Sequence, residues 1–306
     1  MQSTYLTFKQ ILQQTVSVYW SLLKIMVPIL IAVKLLMILG LNEFLSQFVS
    51  PIMHLVGLPT ELATVVTVTA LTNMYGGMLM FFAVIGDVEL TVAQVTVLSG
   101  IMLIVHGIPT EGAIVKSAGL SWRATFLLRV LGAFAFGALL NTFYSSIDFL
   151  QKPLTVLSIG YTHSTDLYAW SISQLKSIAL IFIIIFALIT FLRFLRWIKV
   201  EYILHLILDP ILRVFGMSKN VINFTIIGMT LGISFGGGLL IQESKTGKIE
   251  KREIILALTL LSLCHSLIED TLLVLLMGAD LSGVLWARLV FSFSILFIIS
   301  LFLKKT

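Results

Sequence analysis

The sequence predicts an all-α polytopic membrane protein made of two inverted repeats. Each repeat is expected to hold three transmembrane helices, an interfacial helix and a Gly-broken re-entrant hairpin. Three observations carry this. First, 58% of the 306 residues are hydrophobic and 11% charged, against about 25% charged in soluble domains. The mean hydropathy of +1.05 leaves no room for a large soluble domain. Second, several apolar runs approach or exceed the roughly 20 residues that a spanning helix needs. Third, the same landmarks recur in the two halves of the chain.

The composition also narrows the partners. The net charge of +5 comes from basic residues gathered at the ends of apolar runs, where the positive-inside rule places them. It therefore signals a lipid bilayer and not nucleic acid. The single cysteine, Cys264, excludes an intramolecular disulfide. The first apolar run begins near Leu22 and lacks an Ala-x-Ala-type cleavage site, so no signal peptide is expected.

Residues 1–21 form an amphipathic N-terminal segment, in which Phe8, Ile11, Leu12, Val16 and Tyr19 alternate with Lys9, Gln10, Gln13 and Gln14. That spacing suits a helix lying at the interface. The first repeat, 22–144, opens with a span over 22–41 that contains Lys34. A Pro51-broken interfacial stretch follows at 43–58. Next comes an apolar segment, 61–85, broken by Asn73-Met74-Tyr75-Gly76-Gly77, and then spans at 90–108 and 124–144. A polar stretch, 145–173, joins the halves. The second repeat, 174–303, runs through a span at 174–198 and an interfacial stretch at 201–217 broken by Pro210. Its Gly-broken segment, 220–241, contains Phe235-Gly236-Gly237-Gly238, and spans follow at 254–268 and 284–303. The apolar return arm after Gly238 is short, which predicts a lopsided second hairpin or a full crossing there.

The repeat is visible residue by residue. Pro51 answers Pro210, Gly57 answers Gly216, His106 answers His265, Gly119 answers Gly278 and Arg129 answers Arg288, each 159 positions apart. Gly76-Gly77 answers Gly236-Gly237 at 160. Charge decides the relative orientation of the halves. If both Gly-broken segments are re-entrant, each half crosses three times and the second is upside down. Fifteen Lys and Arg then lie inside and three (Lys34, Lys152 and Lys176) outside, with Arg129 and Arg288 within spans. Full crossing gives ten against eight and puts Arg193, Arg196 and Lys199 outside. The positive-inside rule selects the inverted arrangement.

Two features carry chemistry. Bare backbone at membrane depth is tolerated where it is buried in protein or lines a wet cavity, and paired broken helices mark midplane sites in transporters. Asn73, Tyr75, Gly76, Gly77, Ser234, Gly236 and Gly237 are the binding candidates from the hairpins; close helix packing through small residues is the other reading. The second feature is a histidine and carboxylates at the end of an oily helix, written twice. His106 precedes Glu111, and His265 precedes Glu269 and Asp270. These groups could bind a polar solute, carry a coupling H+ or Na+, ligate a divalent metal with Cys264 as a further ligand, or cap short helices at the interface. Arg129 and Arg288 call for carboxylate partners, Glu111 for the first and Glu269 or Asp270 for the second, as a locking ion pair or a solute contact. No nucleophile elbow, phosphate loop or zincin helix appears, so nothing points to an enzyme or a resident cofactor.

A Gly-Gly-broken hydrophobic segment, a span, and then His106-Gly107-Ile108-Pro109-Thr110-Glu111 or His265-Ser266-Leu267-Ile268-Glu269-Asp270 before a further span resembles the nucleoside recognition, or Gate, domain family. That family includes the spore maturation A and B proteins. It is similar to the membrane core of the ferrous iron transporter B and to concentrative nucleoside transporters. The resemblance covers 40–144 and 200–303 and implies transport, with nucleosides as the cargo that the family name suggests. The chain has no GTPase domain of the iron-transporter kind.

The expected function is secondary transport of a small polar or anionic solute across a bacterial inner membrane, by alternating access between the two hairpins, with both termini cytoplasmic. A divalent-metal transporter, a lipid or lipid-linked precursor flippase and a non-transporting scaffold are the alternatives. A homo-oligomer stays open.

Overall fold

A computed structural model describes residues 8–38, 50–85, 88–155, 167–244, 247 and 249–303. The described residues form helices joined by short turns, with no strand among them beyond one isolated bridge between Thr91 and Pro153. The first half runs α1 (Phe8–Ile38), a helical stretch at 50–55, α2 (Ala63–Leu71), α3 (Met74–Val84), α4 (Val92–Val105), α5 (Ile108–Ser117) and α6 (Trp122–Ser146). The second half runs α7 (Leu167–Trp197), α8 (Val200–Val214), α9 (Lys219–Leu231), α10 (Ile233–Ser244), α11 (Lys251–Leu263), α12 (Glu269–Leu276), a π-helical turn (Ser282–Ala287) and α13 (Arg288–Phe302).

The duplication extends to the helix ends. α1 and α7 are both 31 residues long and start 159 positions apart. The breaks before α3 and α10, at Asn73 and Gly232, keep the same offset. One correction follows. The hairpin glycines match as Gly77 with Gly236, since Gly77 abuts Thr69 and Gly236 abuts Gly228 in the same relative places. The one-residue slip expected from the sequence is absent; the Gly236-Gly237-Gly238 run lets an alignment slide by one. The repeated glycines at 57/216 and 119/278 all have positive φ (70° and 76°, 116° and 92°). A side chain is strained in that region, which explains why both copies keep glycine.

α1 is a single helix from Phe8 to Ile38 with Pro28 inside it, so the interfacial stretch and the span expected after it are continuous. Of the interfacial stretch at 43–58, residues 43–49 lie outside the described set, as do 156–166 of the polar joint. The other ends of that joint belong to helices: Ser145 and Ser146 close α6, and Leu167 opens α7. α1 packs on α7, where the Tyr19 hydroxyl donates to the Ile178 carbonyl at 3.1 Å and the Tyr19 and Phe182 rings meet edge to face.

α2–α3 and α9–α10 are tight hairpins. Asn73 caps the return helix of the first by accepting from Gly76 N–H at 2.9 Å. At about 1.5 Å per residue, arms of this length reach roughly 14–20 Å, short of the ~30 Å hydrocarbon core. α10 continues through Gln242 and Glu243 to Ser244, so the second hairpin has arms of similar length and is not lopsided. The hairpins are held by close approach. A Cβ at Gly77 would lie 1.9 Å from Thr69 Oγ1, and one at Gly236 would lie 2.5 Å from Gly228 Cα.

Among the described residues, Trp122–Ser146, Leu167–Leu195 and Ser282–Phe302 are long and apolar enough to cross a membrane. Val92–Val105 with Ile108–Ser117, bent by 41°, makes a fourth if the bent pair is one broken span and not a re-entrant loop. One hydrophobic cluster gathers around α2–α4 and the other around α9–α11. The exposed faces of α6, α8 and α13 are also apolar, with Leu131, Leu139, Leu206, Val214, Val290 and Leu301 all more than 60% exposed. An inside and an outside that are both oily are what a lipid solvent demands.

Candidate functional site

The site forms where two helices stop. α4 ends at Val105, His106 turns extended (ψ 148°), and Gly107 enters the left-handed region (φ 60°) before α5 begins. α11 ends at Leu263, and Ser266 takes the equivalent left-handed conformation at φ 48°. A helix end leaves carbonyls without intrahelical partners, and lipid offers them none.

Arginine supplies them. Arg129 Nε donates to the Ile104 carbonyl at 2.7 Å and its Nη2 to the His106 carbonyl at 2.5 Å. Arg288 repeats this on the Leu263 and His265 carbonyls, both at 3.0 Å, and crosses the halves to the Leu103 carbonyl at 3.1 Å. Both arginines are fully buried. The expected ion pairs divide. Arg129 Nη1 donates to Glu111 Oε2 at 2.7 Å. Arg288 pairs with neither Glu269 nor Asp270; its contacts are carbonyls and its Nη1 has no hydrogen-bond partner.

The hairpin tips close on the same breaks. Gly107 N–H donates to the Thr69 carbonyl at 3.0 Å, and Leu267 N–H to the Met229 carbonyl at 2.7 Å. Tyr75, at the tip of the first hairpin, donates to Glu269 Oε1 at 2.9 Å.

The two histidines meet between these breaks. Their Nε2 atoms are 2.9 Å apart, and they are 4% and 1% exposed. His106 Nδ1 lies 3.2 Å from the Met102 carbonyl and His265 Nδ1 lies 2.6 Å from the Leu261 carbonyl. A carbonyl only accepts, so each Nδ1 carries the hydrogen of its contact, and each ring turns its Nε2 to the centre. Glu111 Oε1 lies 3.2 Å from His265 Nε2 and 3.4 Å from His106 Nε2, and Asp270 Oδ2 lies 3.3 Å from His106 Nε2. Two ring nitrogens and two carboxylate oxygens thus converge on one point. Asp270 Oδ2 is buried without a hydrogen-bond partner. The ligand atoms of His106, His265 and Asp270 all lie within 4.8 Å of one another.

Acceptors this close repel unless a cation lies among them. One proton joins a single pair; one metal ion serves His106, His265 and Asp270 together. Tetrahedral N/O coordination at about 2.0–2.1 Å spaces ligand atoms about 3.3 Å apart, so the residues present fit a divalent transition metal.

The structure thus brings together His106, Glu111, His265, Glu269 and Asp270, with Tyr75 and both arginines. The remaining hairpin candidates serve packing or lie apart. Asn73 is a helix cap. Gly76 abuts Thr72, Gly77 abuts Thr69 and Met102, and Gly236 abuts Gly228. A Cβ at Gly237 would meet Ile114, and Ser234 is exposed. Cys264 is buried beside the site and lies outside the His106–His265–Asp270 group. The carbonyl-capping role of the arginines went unforeseen. Its signal was present, since each arginine stands 23 residues after its histidine. The π-helical turn at Ser282–Ala287, where Ser282 meets the Tyr144 hydroxyl at 2.9 Å, had no such signal.

Fold and site together define an all-α integral membrane protein with a buried polar centre. The chain is similar to the uncharacterized membrane protein YvoD of Bacillus subtilis (strain 168), with 25% identity over 289 residues that span 88% of this chain and 86% of that protein. No family model and no solved structure matches it.

Proposed function

We propose that this membrane protein transports a divalent transition-metal ion, with His106, His265, Glu111 and Asp270 as the transient ligand set. The observation that carries the reading is the pair of imidazoles facing each other through their Nε2 atoms at 2.9 Å, with two carboxylate oxygens beside them. Imidazole nitrogen with carboxylate oxygen suits zinc, iron, manganese or cobalt. Calcium and magnesium take all-oxygen shells, and copper(I) takes sulfur. The geometry favours a cation over the anionic solute expected from the sequence. Every nitrogen of Arg129 that could clasp an anion already holds a carbonyl or Glu111, which leaves Arg288 Nη1 as the single guanidinium nitrogen of the site without a partner.

The supporting frame is a pair of inverted repeats in a bacterial inner membrane, with both termini cytoplasmic. Contacts across the centre come in exchanged pairs: His106–Asp270 mirrors His265–Glu111, and His106–His265 and Tyr19–Ile178 mirror themselves. That reciprocity is what a two-fold relation between the halves generates, and the lysine and arginine count sets its axis in the membrane plane. Alternating access about a fixed midplane site then follows.

Proteoliposomes loaded with a metal-sensitive dye test the proposal. Protein-dependent influx of zinc or manganese, abolished by His265→Ala, is expected. Dye signals equal to those of empty liposomes for every divalent ion would remove it. A proton-carrying centre is the second reading, favoured by the same facing nitrogens, and it predicts H+ flux without metal.

A further inference from the structure

The central site has mates throughout its ligand set, yet the two carboxylate arms are held differently. Glu111 is anchored, one oxygen on Arg129 Nη1 at 2.7 Å and the other facing the histidines. Its mate Asp270 has no such anchor, and Arg288 Nη1, the mate of the anchoring atom, is buried without a hydrogen-bond partner. Two complementary buried groups therefore stand near one another unjoined, an arrangement that costs both of them.

The residue preceding Asp270 explains the gap. Glu269 accepts from the Tyr75 hydroxyl at 2.9 Å, which ties the first turn of α12 to the tip of the first hairpin. This bond has no mate. The positions equivalent to Tyr75 and Glu269 are Ser234, which is exposed, and Thr110, which donates to the Gly107 carbonyl of its own turn at 3.1 Å. The first hairpin is correspondingly sealed, with Met74 and Gly76 through Phe82 all buried, while Ser234, Phe235 and Gly238 of the second are exposed.

We propose that Tyr75 and Glu269 form a one-sided latch. Closed, it seals the cation site on the side of the first hairpin and holds Asp270 toward His106. Open, it frees the first turn of α12, and Asp270 swings from the cation to Arg288 Nη1, adopting the arrangement that Glu111 and Arg129 already have. Withdrawal of this one ligand is what lets a bound ion leave toward the first hairpin. Tyr75 and Glu269 are positioning residues that act through Asp270. The proposal rests on the cation reading above for its cargo, but the latch itself is testable without metal.

The test is Tyr75→Phe, which removes one hydroxyl, together with Glu269→Ala. Backbone hydrogen exchange over 70–80 and 266–274 is compared with the parent protein, and thermal stabilisation by zinc is measured on the same samples. With the latch lost, exchange in both segments should rise about tenfold or more, the scale of one charge-assisted hydrogen bond. The 230–240 hairpin should be unchanged, the double variant should add nothing further, and zinc stabilisation should weaken without vanishing, since Asp270 is released while His106, His265 and Glu111 stay in place. Unchanged exchange at 70–80 overturns the latch. So does a rise with zinc stabilisation unchanged, because Asp270 would then be held on the cation by something other than the latch. If zinc fails to stabilise the parent, the metal reading falls and the exchange result alone decides the latch.

Discussion

His106 and His265 turn their Nε2 atoms to each other at 2.9 Å, while each commits its Nδ1 hydrogen to a carbonyl four residues earlier. The second fact gives the first its meaning. Free to flip its tautomer, either ring could donate to the other. Held at Nδ1, both rings turn Nε2 inward, and a shared positive charge, proton or metal ion, is what joins them.

The arginines hold the broken helices together, and they are not equivalent. Arg129→Met strands two carbonyls and the Glu111 carboxylate, and removing one partner of a buried pair costs about 3–5 kcal/mol. Arg288→Met strands three carbonyls and no carboxylate, so it should cost less. Thermal melts in detergent are expected to rank Arg129→Met as the less stable variant, and adding Glu111→Gln to it should recover part of the loss. Equal melts, or no recovery, would contradict this.

The hairpin glycines are packing positions. Gly236→Ala drives a methyl group into the Gly228 backbone, and overpacking of this kind costs about 1–3 kcal/mol. Gly77→Ala collides with the Thr69 side chain, so Thr69→Ala should relieve it. Gly238→Ala meets nothing within 4 Å and should be silent. Melting temperatures of the four variants check the set; a damaging Gly238→Ala would show that bare backbone is needed there for another reason.

Topology has its own check. In a Cys264→Ala background, single cysteines at Glu89 and Glu250 should react with an impermeant thiol reagent from opposite sides of the membrane, Glu250 from the cytoplasm. Labelling of both from one side would exclude inverted halves.

Much of this was legible in the sequence. The 159-residue offset reaches the ends of α1 and α7, and the doubled histidine and carboxylate mark the centre. Charge selected hairpins over crossings; the arms α2–α3 and α9–α10 are short and paired, and the sidedness of the halves is what the cysteine labelling tests. What could not be read depends on three dimensions. Tyr75 and Glu269 are 194 positions apart. The arginines answer carbonyls, which carry no side-chain signature. Apolarity also cut the second hairpin short at Gln242, because a helix leaving the oily layer keeps its backbone bonds after its side chains turn polar.

Thermal stabilisation of the purified protein by divalent ions decides whether the facing imidazoles bind a metal ion. Zinc, manganese, cobalt or iron(II) should raise the melting temperature where calcium and magnesium do not. His106→Ala and His265→Ala should each abolish the rise. No response to any divalent ion, or a rise that survives both substitutions, would contradict the account.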